Sequence, residues 1–288
     1  MKDFFRYLTS SNEDQEWGIH LTVVGKYHAV PESVYPSKEH PTGYYFDYKA
    51  GRTLNEYQLN YISEGSGVFE IEEKTYQIQP GTMMIIGPGQ NHRYKPDPTT
   101  GWTENYIGFK GTLSDHFIQR SLNQIKEPIV HLGSQLEIFD TYQKIQDLVQ
   151  LQPPAYQQMA SGHILNLLGQ ISSASRQKNF DSKRTEDLIN SAKSFMWERV
   201  EATLDLKIFC QQQNISYSHF RKTFKEYTGI APHQFFLDLK IMRARELILS
   251  SQLSITEITY QLGFESIHYF SRLFKKKTGV SPRDLRKK

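Results

Sequence analysis

The chain has 288 residues, with 34 Lys and Arg against 31 Asp and Glu and a formal net charge of +3. That length holds roughly two domains with separate cores, and a composition of 38% hydrophobic and 23% charged residues is that of a globular protein without the ~20-residue apolar run of a membrane helix. The single cysteine, Cys210, excludes an intramolecular disulfide and a Cys-rich metal site, and the first residues lack a secretory pattern, so a cytoplasmic setting without membrane contact is expected.

The charge is uneven: residues 1–180 hold 15 basic and 19 acidic side chains, and residues 181–288 hold 19 basic and 12 acidic ones. The second half is therefore the candidate for a polyanionic partner. In chain order, residues 43–109 read as strands: runs at 43–48, 57–62, 67–72, 75–79, 82–87 and 102–109, rich in Tyr, Phe, Ile and Val, are separated by Gly and Pro turns. Many short, closely spaced strands predict a small all-β barrel or jelly roll. The period then becomes helical. Ile138, Phe139, Tyr142, Ile145 and Val149 define a helix over 134–151, and Tyr156, Met159, His163, Ile164, Leu167, Leu168 and Ile171 define one over 155–171, with His163 expected in the core. The pair Pro153 and Pro154 separates them. The polar run 172–184 predicts an interdomain linker, and everything beyond reads as helix.

The helical half contains one pattern twice. With an offset of 50, Phe220 falls on Phe270, Phe224 on Phe274, Lys225 on Lys275, Thr228 on Thr278, Gly229 on Gly279 and Pro232 on Pro282. Identities that include the Gly and the Pro mark an internal repeat. Each copy follows a short apolar helix, the second opening with the capping-box pair Ser254 and Glu257, so the chain predicts two helix-turn-helix units. On the second helix of each unit, Phe220, Thr223 and Phe224, and Phe270, Leu273 and Phe274, share the core face. Donor-rich side chains that suit phosphates and base edges fall on the remaining faces and at the helix starts: Ser216, Ser218, His219, Arg221, Lys222 and Lys225, and Ser266, His268, Tyr269, Arg272, Lys275 and Lys276. A connecting helix from Pro232 to residue 250 would span roughly 27 Å, close to the ~34 Å between successive major grooves on one face of double-stranded DNA. One monomer could then read two adjacent groove segments.

The stretch "ITEITYQLGFESIHYFSRLFKKKTGVSPRDLR" resembles the signature of AraC/XylS-type transcription regulators, over roughly residues 186–286. Two small residues, Cys210 and Thr259, stand where the family usually has Ala, and Leu285 replaces a usual aromatic residue. The stretch "GSGVFEIEEKTYQIQPGTMMIIGPGQNHRY" with "GWTENYIGFKG" resembles the cupin-type effector domain of the same family, and the following helices resemble its dimerisation region. The resemblance implies two domains: an N-terminal all-β cupin-like barrel with a helical hairpin over 1–171 that binds an effector and dimerises, and, after the linker, an all-α double helix-turn-helix domain over 185–288. It also implies a homodimer and contact with RNA polymerase. Metal-binding cupins offer a His-x-His pair and a carboxylate, with a later His; His92 occupies the later position, but Tyr57 and Leu59 stand in place of the pair. No metal, other cofactor or enzymatic activity is therefore expected. By resemblance to sugar-sensing members, Arg52, His92, Tyr94, Glu104 and Tyr106 are the effector-binding candidates and a small carbohydrate the effector. Two alternatives stay open: a DNA-binding regulator whose barrel serves only dimerisation or protein contacts, and a cupin enzyme fused to a DNA-binding module.

Overall fold

The computed structural model describes residues 3–33, 35, 48–122, 127–133, 136–177, 182–202 and 204–287. The chain divides into two units, residues 1–179 and 180–288.

The first unit runs β1 (Phe4–Tyr7), α1 (Asn12–Glu16), β2 (His20–Ala29), β3 (Arg52–Thr53), β4 (Tyr57–Gly65), β5 (Gly67–Ile71), β6 (Lys74–Ile78), β7 (Thr82–Ile86), β8 (Asn91–Pro96), β9 (Trp102–Lys110), α2 (Ser114–Leu122), β10 (Ile129–His131), α3 (Leu136–Leu151) and α4 (Tyr156–Gln177). Among the described residues these strands form two antiparallel sheets, β1-β2-β9-β4-β7-β10 and β3-β8-β5-β6. Of the expected barrel or jelly roll, the described strands form two facing sheets that do not close into a barrel. The chain changes sheet between β4 and β5 at Ser66, where Gly65 has φ 75° and a Cβ would lie 2.1 Å from the Gly101 carbonyl oxygen. Only glycine permits that corner, and the corner lets each sheet stay short and twisted.

Alternation along the strands sorts side chains into two layers. Leu59, Tyr61, Met83, Ile85, Ile107 and Phe109 face α3 and α4, whereas Ile62, Met84, Ile86 and Trp102 meet Phe69, Ile71 and Tyr94 of the smaller sheet. Helix α4 is tied to β2 by buried polar side chains. The Gln157 amide accepts from Leu21 N at 2.8 Å and donates to Leu21 O at 3.2 Å; Leu21 pairs with Phe109 of β9 on one edge and lies beyond Val23, where the pairing with β1 ends on the other.

Several expectations shift. Of the run at 43–48 only Tyr48 is described, and it lies in a turn. Strands β1, β2, β3, β8 and β10 lie outside the expected runs. Ile164, Leu167, Leu168 and Ile171 are buried as expected, but His163 is half-buried and Met159 is exposed, because the stripe of α4 continues through Gln157, Ala160 and Ser161. The run 172–184 is helical where described: α4 continues to Gln177 and α5 begins at Ser182. Ser, Ala, Gln, Lys and Arg are tolerated on an exposed helix face, so polarity alone did not break either helix.

The second unit comprises α5 (Ser182–Glu198), α6 (Leu206–Gln212), α7 (Tyr217–Thr228), α8 (Pro232–Ser250), α9 (Ile255–Gln261), α10 (Ile267–Thr278) and α11 (Pro282–Arg286). The duplicated residues act as punctuation. Ser216 and Ser266 cap α7 and α10, accepting from His219 N and Tyr269 N, and Gly229 and Gly279 end them in the left-handed region at φ 82° and 80°. Each half-unit has its own core. Phe209, Phe220 and Phe224 pack with α5 and the start of α8, while Ile258, Phe264, Phe270 and Phe274 pack with Ile241, Ala244, Leu247 and Ile248 further along α8. Helix α8 is apolar on more than one side because it serves two cores. Around it, Glu201 accepts from Arg243 Nε at 2.6 Å and from Gln261 Nε2 at 2.8 Å, tying the segment before α6 to α8 and α9.

Candidate functional site

The interior of the first unit is apolar at one end and polar at the other. Strand β4 points Gln58, Asn60 and Ile62 between the sheets, and β9 points Trp102, Glu104 and Tyr106 the same way; Asn60 pairs with Tyr106 and Ile62 with Glu104 in the ladder. Strand β8 supplies His92 and Tyr94 from the opposite sheet, beside Arg52 of β3. Room for the Tyr106 ring comes from Gly25 on β2, where a Cβ would lie 2.3 Å from the ring carbon Cζ.

Arg52, Gln58, Asn60, His92, Tyr94 and Glu104 form one hydrogen-bonded network. Asn60 Nδ2 donates to Glu104 Oε1 at 2.7 Å and to the Tyr94 hydroxyl at 3.3 Å. Arg52 donates to that same hydroxyl, to Gln58 Oε1 at 3.4 Å and, through Nε, to His92 Nε2 at 3.1 Å. Because His92 Nε2 accepts, its proton sits on Nδ1 and donates to Gln90 O at 3.0 Å. The imidazole is held neutral: burial, then the Arg52 guanidinium, push its pKa down to about 4. Burial likewise pushes the Glu104 carboxyl up to about 7, against the pull of Arg52 and of hydrogen bonds from Asn60 and Tyr94. Burial also raises the Tyr94 and Tyr106 hydroxyls above the ordinary tyrosine range.

The structure therefore brings Arg52, His92, Tyr94, Glu104 and Tyr106 together. They lie inside the sandwich, with His92, Tyr94 and Glu104 buried. Sequence reasoning passed over Tyr7, Glu56, Gln58, Asn60 and Trp102. The first two act electrostatically within the same cluster, Arg52 and Glu56 both bearing on the Tyr7 hydroxyl. Two buried atoms in this interior have no hydrogen-bond partner among the described residues: the acceptor Asn60 Oδ1 and the donor Trp102 Nε1. Orphans of opposite sense are costly unless a ligand or water satisfies them. The signal for Gln58 and Asn60 was present in β4, whose alternation puts amides on the face opposite Leu59 and Tyr61. Among the described residues, no group of three or more His, Cys, Asp or Glu could hold a metal ion.

In the second unit, Ser218, His219, Arg221, Lys222 and Lys225 of α7 are exposed, as are His268, Tyr269, Arg272, Lys275 and Lys276 of α10. Among the described residues, Arg221, Lys225, Arg272, Lys275 and Lys276 make no ion pair, and Lys222 has only a 4.0 Å approach to Glu226. Their cations are free for phosphates. Lys277 differs, its Nζ lying 2.7 Å from Asp238 of α8. The Ser216 and Ser266 hydroxyls already accept helix-capping bonds, which leaves each its O–H donor and one lone pair for an outside partner. Cys210 is buried, and burial followed by Asp205 raises its thiol pKa, so it is a packing residue of the first core.

Residues 33–188 match the family described as AraC-like ligand binding domain, and residues 209–288 match a helix-turn-helix domain. The MmsAB operon regulatory protein of Pseudomonas aeruginosa is 28% identical over 275 residues, covering 91% of this chain and 85% of that protein. The Msm operon regulatory protein of Streptococcus mutans is 23% identical, covering 88% and 91%. The lactose operon transcription activator of Staphylococcus xylosus is 23% identical, covering 79% and 82%. With a ligand-binding unit followed by a duplicated helix-turn-helix unit, the chain belongs to the AraC family of transcriptional regulators.

Proposed function

We propose that the chain is a DNA-binding regulator whose effector is a small uncharged carbohydrate held between the two sheets of the first unit, bound and released unchanged. The observation that carries this reading is the pair of buried orphans, Asn60 Oδ1 and Trp102 Nε1, in an interior lined by Tyr94, Tyr106 and Trp102. A hydroxyl can both donate to such an acceptor and accept from such a donor, and aromatic faces suit the C–H side of a sugar ring. The relationship to a lactose operon activator supports a sugar as the class. Effector binding acts on transcription through differential affinity for two arrangements of the molecule. A homodimer would place two such chains on adjacent half-sites in the cytoplasm and present them to RNA polymerase. The exposed side of α4 supports pairing there: Met159 and Leu165 are exposed, and added Cβ atoms at Gly162 and Gly169 would meet nothing.

Thermal unfolding of the full chain against a panel of mono- and disaccharides tests the effector assignment. A ligand at ~100 times its Kd adds ~2.7 kcal/mol to the unit that binds it. The expected result is a rise in Tm with one sugar, lost in Asn60→Ala. A panel without any shift, or a shift retained in that variant, contradicts the carbohydrate site.

A further inference from the structure

A groove of about 500 Å³ lies within the second unit, between the two helix-turn-helix halves and alongside α8. Leu206 and Tyr217 wall it from the first half, Phe264 and Tyr269 from the second, and Phe236 and Leu237 form its α8 side. Into this apolar setting α8 places Lys240, which is only 7% exposed. Its Nζ stands 4.9 Å from the centre of the Phe236 ring and 5.4 Å from that of Phe264. It would lie 3.3 Å from a Cβ at Gly263, in the turn of the second half. Among the described residues it donates no hydrogen bond and makes no ion pair.

Two aromatic faces attract an ammonium group but give its three N–H donors no acceptor. A lysine this buried is ordinarily paired. Burial also pulls its pKa below the ordinary lysine value. Elsewhere on the described lining, Lys207 adds a second cation, Glu265 is the one acid and His233 the one imidazole.

We propose that this groove binds a small amphipathic monoanion, a carboxylate with an aryl or short alkyl body, whose headgroup pairs with Lys240 and whose body packs against Phe236, Phe264 and the two tyrosines. The volume accommodates a molecule of that class, and the apolar walls with one buried unpaired cation are its complement. Such an occupant touches both halves at once. Tyr217 and Tyr269 stand in the first turns of α7 and α10, so the ligand would fix the setting of one recognition helix against the other, as a second input separate from the pocket of the first unit.

The test uses 4-phenylbutyrate and its uncharged analogue 4-phenylbutan-1-ol, titrated against the full chain by calorimetry with ligand-observed NMR. The expected result is saturable binding of the carboxylate, at least about tenfold weaker for the alcohol and for Lys240→Met, since a buried charge-assisted contact is lost in each. Should Lys240→Met not fold, Ala202→Glu carries the test. It adds a negative charge at an exposed position on the lining and is expected to weaken the carboxylate several-fold while leaving the alcohol unchanged. Absence of saturation at millimolar probe, equal affinity for acid and alcohol, or undiminished binding by every folded variant overturns the proposal.

Discussion

Glu104 and His92 are two ionisable groups that one pocket drives in opposite directions relative to water, and both end up favouring the neutral form near pH 6. The consequence is a pH signature. The carboxyl of Glu104 binds its proton more tightly folded, at about 7, than at its ordinary 4.5, so its contribution is fully present below pH 4.5 and is lost as pH rises toward 7. Glu104→Gln removes that loss. The variant should gain stability over the parent between pH 5 and pH 8, by an amount on the order of 3 kcal/mol in the first unit, read as a widening Tm difference in the absence of effector. A constant difference across that range contradicts the account. His92 has the reverse dependence, since its depressed pKa costs stability as pH falls from 6.5 toward 4, so the parent alone would mask both effects. Of this cluster, the sequence disclosed the side chains whose type suggests sensing, such as Arg52 and Glu104. It did not disclose Tyr7 or Trp102, because their place depends on which face of β1 and β9 turns inward, a matter of register across strands distant in the chain.

At the scale of elements, the repeat made the helices of the second unit legible because its signals are local. A serine caps each recognition helix, a Thr-Gly pair closes it, and two phenylalanines four residues apart fix the inward face. Strands such as β8 were harder: Asn91–Pro96 reads as polar with a terminal proline, and only pairing with β3 and β5 makes it a strand. The two phenylalanine cores are separate, which gives a prediction. Phe224→Ala and Phe274→Ala each delete a side chain with no exposed surface and should each cost about 3–5 kcal/mol. Hydrogen exchange should localise the damage, the first variant losing protection over 209–228 more than over 255–278, and the second doing the reverse. Equal loss across both segments in both variants would show one cooperative core instead.

At the scale of the whole molecule, one chain carries a ligand-binding unit followed by two helix-turn-helix units, each proposed to read its own segment of DNA. With the exposed cations on α7 and α10 proposed to meet phosphates, the affinity should depend steeply on salt, and each phosphate contact removed should lower the magnitude of the slope of log K against log salt by ~0.9. The Lys275→Ala, Lys276→Ala pair is thus expected to flatten the slope by up to about two with little change in base preference. An unchanged slope would place these lysines off the DNA. Base contacts are proposed for the exposed donors nearer the N-terminal ends of the helices, together with Lys222 and Arg272 on the next turn. The decisive experiment on double DNA reading is selection of binding sites from a random duplex library by the full chain, by Lys222→Ala and by Arg272→Ala. The account predicts a parent motif of two blocks per protomer about one helical turn apart, with Lys222→Ala blurring one block and Arg272→Ala the other. A single block, or two variants that select the parent motif unchanged, would contradict it.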